Sequence, residues 1–426
     1  MTKPMPQKGA WTIVVLLFFF MLINFADKVV IGLAGVPIMK DLALTPQEFG
    51  LVNSSFFLLF SLSAIATGFL VNHVQTRWAL LAMALVWALT QFPILGTVSV
   101  GTLIACRIVL GAGEGPAFPV ALHAIYKWFP NELRTLPTSV VSQGAGVGVV
   151  IAIPVLSYVI DRFSWHWAFG LLGIAGLAWV VVWSLLGREG SVPAEIVDQS
   201  GYRIERVPYS RLLLNGTVLS AFAAGFGSYW GIALLVGWFT PYLIDGLGYT
   251  QTEAGWTTTL PWATSPFIEL FAGWFSQYLL ARGASTRVAR GLFGGGSVAL
   301  GGLCLMLMRY MPSDGLKIAM IIVGIALPAV IFILSHAMVS ELTPISQRGA
   351  MLAINNAVAT SAGLIAPYVM GSVVQNANAS PAEGYAHGFF ICGAVALVCG
   401  VIGMIFLRPQ SEVSRFAMRS RQEATG

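Results

Sequence analysis

Residues 10–33 read AWTIVVLLFFFMLINFADKVVIGL, and this stretch decides the fold class. The run is apolar for long enough to cross a bilayer, which takes about 20 helical residues. Charge enters it only at Asp27 and Lys28. Lys3 and Lys8 precede the run, as they would in a secretory signal. However, no small-residue cleavage site follows, and Asp27-Lys28 stand where such a run should end. The segment therefore reads as an uncleaved first membrane helix.

Working outward, further runs of this kind recur at 48–71, 78–98, 101–125, 138–160, 165–187, 213–243, 253–281, 288–309, 316–340, 349–375 and 385–407. With the first they make twelve expected spans, an all-α membrane protein. Composition agrees. The chain of 426 residues is 57% hydrophobic and 10% charged, whereas soluble domains carry roughly 25% charged residues. Its 46 glycines suit helices that approach closely within a bilayer. The four cysteines, Cys106, Cys304, Cys392 and Cys399, all fall in apolar runs without metal-site spacing. A net charge of +5 invites a nucleic-acid reading, but the basic residues form no stripe. They sit in the short segments between apolar runs.

Their distribution sets the orientation. Of the 23 Lys and Arg, Lys40, Arg162, Arg309 and Lys317 lie in odd-numbered loops, and Lys28 and Arg107 lie within spans. The other 17 lie in the termini and even-numbered loops. That bias predicts cytoplasmic termini. The polar stretch 188–212 is expected to be a cytoplasmic linker between two six-helix halves, 1–187 and 213–426, the second ending in a cytoplasmic tail. A weak repeat supports this division. Gly68 precedes Arg77 by nine residues after span two, as Gly273 precedes Arg282 after span eight. Pro130 and Arg134 recur as Pro344 and Arg348. Gln143 and Pro154 in span five recur as Asn356 and Pro367 in span eleven. Parallel six-helix repeats of this kind are transporter architecture.

With these motifs in view, the chain resembles the major facilitator superfamily. The turns 68–77 and 273–282 resemble its loop motif, with Asn72 and Gln277 where the usual aspartate stands. More narrowly, it resembles the anion:cation symporter family of organic-anion/proton symporters. Asn24-Phe-Ala-Asp-Lys28 is similar to that family's N-Y-A-D-R. Arg107-Ile-Val-Leu-Gly-Ala-Gly-Glu-Gly-Pro-Ala-Phe-Pro119, Lys127-Trp-Phe-Pro130 and Trp165-His-Trp-Ala-Phe169 also match its pattern. The resemblance runs nearly end to end. It implies proton-coupling roles for Asp27 and Glu114 and an anion-binding role for Arg107.

The intramembrane charges carry the chemistry. A charge at the bilayer centre costs on the order of 3 kcal/mol, so such groups are usually functional. At about 1.5 Å per residue, Asp27 and Arg107 come to similar levels in spans one and four, and Asp27 is expected to meet Arg107. Glu114 follows Arg107 by seven residues, on the same helix face and nearer the midplane. Two acids and two bases on facing helices can exchange partners. A substrate carboxylate arriving at Lys28 or Arg107 releases an acid, which then holds a proton more readily. A structural ion pair is the plainer reading. Lys28 replaces the family's Arg and binds as a point charge rather than a fork. Glu269 in span eight is a further charge that the resemblance does not predict.

Gln143 and Asn356 occupy equivalent places in the halves, where helix–helix hydrogen bonding competes with ligand contact. The family's pocket uses these positions. Ser335 and His336 lie in span ten, His336 where the family usually has Trp. Phe25, with Phe57 or Phe60, stands where sugar-acid members often have Tyr, implying a less hydroxylated ligand. The glycine runs 111–115 and 144–148 follow no strand and read as helix packing rather than nucleotide loops. There is no phosphate-binding loop for ATP, and no catalytic motif of an enzyme appears in the spans. The expected function is proton-coupled symport of a small organic anion by alternating access. A uniporter or antiporter without obligatory proton coupling is the alternative. The expected partners are the anion, protons and the bilayer, with no nucleic acid and no cofactor. The chain is expected to act as a monomer in a bacterial inner membrane.

Overall fold

Long apolar runs without internal partners for their amides have one solution in a bilayer, the helix, which satisfies its own backbone. The computed structural model accordingly holds helices joined by turns and no strand among the residues it describes, which are 7–70, 74–130, 133–191, 207–378 and 380–407. Among the described residues, eleven helices are long and apolar enough to cross a membrane. The other long helix, expected as span eight, has 31 residues but carries Thr, Ser, Pro and two Glu within them.

The helices of the first half are α1 (Ala10–Leu33), the short α2 (Gly35–Asp41), α3 (Pro46–Leu70), α4 (Thr76–Gln91), α5 (Val100–Glu114), α6 (Ala117–Tyr126), α7 (Thr135–Arg162) and α8 (Trp165–Leu186). Those of the second are α9 (Tyr209–Leu213), α10 (Gly216–Gly237), the single turn α11 (Phe239–Pro241), α12 (Gln251–Ala281), α13 (Phe293–Leu307), α14 (Asp314–Leu342), α15 (Ile345–Thr360), α16 (Ala362–Gln375) and α17 (Pro381–Phe406). Span seven, read from sequence as one run over 213–243, is interrupted after Gly237. Pro241 has no N–H and its ring crowds the carbonyl of the residue four before it, which is Gly237. Residues Tyr242–Gly246 then form a wider, π-helical turn.

Contacts divide the chain into two units. One comprises 1–202 with 236–263, the other 203–235 with 264–426. Within the first, α1 lies along α7, α3 along α5 and α4 along α8. Glycines make these approaches possible. A Cβ built on Gly111 would come 1.9 Å from the Phe56 carbonyl oxygen, and one on Gly115 would come 2.0 Å from that of Phe60. In the second unit α13 lies along α17, so spans nine and twelve pair as spans three and six do in the first. Gly302 and Gly393 meet there with the same lack of space. The glycine runs of the sequence thus serve helix packing.

One end of the first unit is tied by Glu189. Its carboxylate accepts from the Thr76 and Arg77 amides at 3.2 and 2.9 Å, which caps α4. It also accepts from Thr76 Oγ1 and from Lys127 Nζ at 2.5 Å. Trp183 Nε1 donates to the Arg77 carbonyl in the same corner. Asn72 and most of the 188–212 linker lie outside the described residues.

Candidate functional site

Four of the five intramembrane charges gather in the first unit, on α1 and α5, with the amide of Gln91 on α4 beside them. On α1, Asn24 and Lys28 are four residues apart and share a face. Lys28 Nζ donates to Asn24 Oδ1 at 2.7 Å and lies 3.5 Å from Glu114 Oε2. On α5, Arg107 and Glu114 are seven apart and also share a face. On α4, Gln91 Nε2 donates to Asp27 Oδ1 at 3.0 Å. Asn24, Asp27, Gln91, Arg107 and Glu114 are all buried, at 2% exposure or less.

The pairing differs from the expectation. Asp27 meets Gln91, and Lys28 meets Glu114. Arg107 makes no ion pair with Asp27, although both acids lie within its coulombic range. Similar height along two helices does not fix direction around them. Successive residues of a helix turn by about 100°, so adjacent Asp27 and Lys28 cannot both face α5. Here Lys28 faces α5 and Asp27 faces α4.

Aromatic rings cover both cations. Lys28 Nζ stands 4.1 Å from the Phe25 ring centre and 5.4 Å from that of Phe60. The Arg107 guanidinium stands 4.6 Å from the centre of the Phe56 ring. Phe57 packs edge-on against Phe56. Arg107 Nε and Nη1 are buried with no hydrogen-bond partner among the described residues. A guanidinium held over a ring, with donors to spare, can receive a planar carboxylate.

The remaining candidates lie elsewhere. Gln143 is exposed on α7, and no hydrogen bond or ion pair joins it to the cluster. Ser335, His336 and Asn356 belong to the second unit. There Ser335 is buried and accepts from Asn355 Nδ2 at 3.4 Å. His336 is half-buried and its Nδ1 contacts the Phe332 carbonyl. Since a carbonyl only accepts, Nδ1 carries the hydrogen and Nε2 is the nitrogen left to a ligand. Asn356 is half-buried, while its neighbour Asn355 is buried with Oδ1 unpartnered. Glu269 is half-buried on α12 and joins neither group.

Sequence reasoning passed over Gln91, Phe56 and Asn355, and quoted Asn24 without assigning it a role. The i, i+4 spacing of Asn24 and Lys28 was a usable signal. So was a lone amide, Gln91, near the end of an otherwise apolar run.

The family model of the Major Facilitator Superfamily matches residues 16–327 and 221–424. The chain belongs to the Major Facilitator Superfamily. This superfamily member is a multi-pass integral membrane transporter, not an enzyme. Its relatives include the D-galactonate transporter of Escherichia coli O6:H1, 25% identical and covering 92% of this chain and 96% of that protein. The hexuronate transporter of Bacillus subtilis is 25% identical over 95% of this chain and 96% of its own. A probable sulfoacetate transporter of Cupriavidus necator is 25% identical over 91% of each. Among solved structures, a bacterial homologue of the human lysosomal transporter Spinster superposes with a TM-score of 0.79 at 16% identity. It covers 95% of this chain and 98% of that one, which shows a shared fold.

Proposed function

We propose that this superfamily member is a proton-coupled symporter of a small organic anion, working by alternating access. One observation carries the reading: buried Asp27, Glu114 and Arg107 stand together with half-buried Lys28, and the Arg107 guanidinium has donors with no hydrogen-bond partner among the described residues. An entering carboxylate docks on Arg107 and competes with Glu114 for Lys28. Glu114, parted from its cation, takes a proton, because a buried carboxylate without a positive neighbour favours its neutral form. Anion and proton then travel together, and release of one frees the other. Asp27, held by Gln91, follows the charge on Arg107 through space. Gln143 of the first unit and, separately, Ser335, His336 and Asn356 of the second are further proposed substrate-binding residues.

The relatives named for galactonate, hexuronate and sulfoacetate support an organic anion as substrate. Phenylalanines around Lys28 and Arg107 offer apolar faces and no hydroxyls. This favours a compact or aromatic carboxylate over a polyhydroxylated hexonate. The proposed setting is a bacterial inner membrane, with both termini and the 188–212 linker in the cytoplasm and the chain acting as a monomer.

The test is uptake by reconstituted proteoliposomes with an alkaline interior, using labelled benzoate, sulfoacetate and D-galactonate as probes. Accumulation above the outside concentration, abolished by a protonophore, is the expected result. Uptake indifferent to the pH gradient would make the protein a uniporter or exchanger instead. Binding of galactonate alone would overturn the substrate class.

A further inference from the structure

Gln91 is a group that the transport reading does not require and the geometry makes conspicuous. It closes α4, is 1% exposed, and spends its Nε2 on Asp27 Oδ1 at 3.0 Å. Its Oε1 is buried with no hydrogen-bond partner among the described residues. The two ends of one amide are thus in opposite situations, the donor engaged and the acceptor idle. An ionised carboxylate accepts hydrogen bonds and donates none, so it requires the nitrogen end. A protonated carboxyl has an O–H that must donate, and in this buried corner that O–H requires an acceptor. Rotation of the Gln91 amide by half a turn about its last side-chain bond exchanges one for the other. The terminal torsion of Gln is broad and roughly two-fold, so both orientations are accessible.

We propose that Gln91 is the positioning residue that serves both protonation states of Asp27, donating to its carboxylate and accepting from its acid. The use of this device in transport rests on the symport reading above; the device itself does not. The other charged groups in range of Asp27 are Glu114 and Arg107 on α5 and its neighbour Lys28 on α1. Of these, Lys28 is directed to Asn24 and Glu114, and Arg107 forms no hydrogen bond to Asp27. Asparagine at position 91 would keep the amide but lose the reach. Glutamate keeps the shape, supplies an acceptor for the acid and removes the donor for the carboxylate. Methionine keeps the length and removes both.

The experiment needs no substrate. Purified protein in nanodiscs is titrated while the infrared carboxyl stretch is followed, and the Asp27 contribution is identified by its loss in Asp27→Asn. A hydrogen bond to an ionised group is the stronger of the two kinds. Losing both therefore penalises the carboxylate more than the acid. The midpoint in Gln91→Met is expected about one pH unit above that of the wild type, and Gln91→Glu is expected higher still. A purely structural Gln91 would lower yield and leave the midpoint where it was. A Gln91→Met midpoint equal to the wild type, or one above Gln91→Glu, overturns the proposal. So does an Asp27 that never takes a proton between about pH 4 and 10, since it then has no acid form to serve. Should gradient-driven uptake fail while the order of midpoints holds, the symport reading falls and the role of Gln91 stands.

Discussion

Lys28 Nζ lies 3.5 Å from Glu114 Oε2 and joins α1 to α5, while the Glu114 oxygens have no hydrogen-bond partner among the described residues. A buried acid whose one ion pair is with Lys28 is open to exchange, because an anion that engages Lys28 and the nearby Arg107 leaves the acid to be neutralised. The pair ties α1 to α5, and under the symport reading proposed above it is also the proton site.

Glu114→Gln mimics the protonated acid. It is expected to abolish accumulation driven by a pH gradient, since the proton can no longer leave. Substrate counterflow between equal concentrations persists, because exchange needs no proton release. Arg107→Ala is expected to abolish both, since the anion loses its fork of donors. Both rates are read in the same proteoliposome preparation. Full accumulation by Glu114→Gln would remove this residue from the coupling. A merely structural pair would instead reduce yield and leave coupling intact.

Glu189 provides a pH prediction outside the spans. Burial pushes its carboxyl up, but the Lys127 ammonium and the Arg77 and Thr76 donors together outweigh it and hold it below the ordinary range. A group depressed on folding contributes stability above its unfolded value, and loses it as pH falls through the folded one. Glu189→Gln is therefore expected to cost about 1–2 kcal/mol at pH 7, seen as a lower Tm in detergent. The gap to the wild type should narrow as pH falls below the ordinary carboxylate range, and close only once the carboxyl is protonated in the folded state as well. An undiminished gap at low pH would show that the loss comes from shape rather than charge.

Gly111 and Gly146 provide a paired test of helix packing. A Cβ on Gly111 meets the Phe56 carbonyl at 1.9 Å, which neither helix can relieve without moving apart. A Cβ on Gly146 meets nothing within 4 Å. Gly111→Ala is expected to remove most folded protein on size-exclusion chromatography, and Gly146→Ala to elute as the wild type. Equal elution of the two would contradict the close approach of α3 and α5.

The charge count predicts the orientation. Single cysteines at positions 383 and 198, in a background with the native cysteines replaced, are probed with an impermeant maleimide on intact cells. Position 383 is expected to label from outside and position 198 only after lysis. The reverse pattern would invert the topology.

The sequence by itself determined the helical membrane class, the long runs, the repeat and the identity of the buried charges. The physical reason is local. A bilayer penalises every unsatisfied amide and every charge, so a run such as 10–33 and its Asp27 and Lys28 are legible without any tertiary contact. The interruption of span seven was local too, written in Pro241, yet hydropathy does not register a missing N–H. Only the tertiary structure decided who pairs with whom. Asp27 turned to Gln91 and Lys28 to Glu114 because the direction of a side chain depends on helix rotation, which α1 acquires by packing along α7. Periodicity places residues on a common face but does not say which neighbour that face meets. For the same reason Phe56 was invisible as a site residue, and Gln91 showed only as a lone amide with no partner assigned: both acquire their roles from the cation and the carboxylate that packing sets beside them.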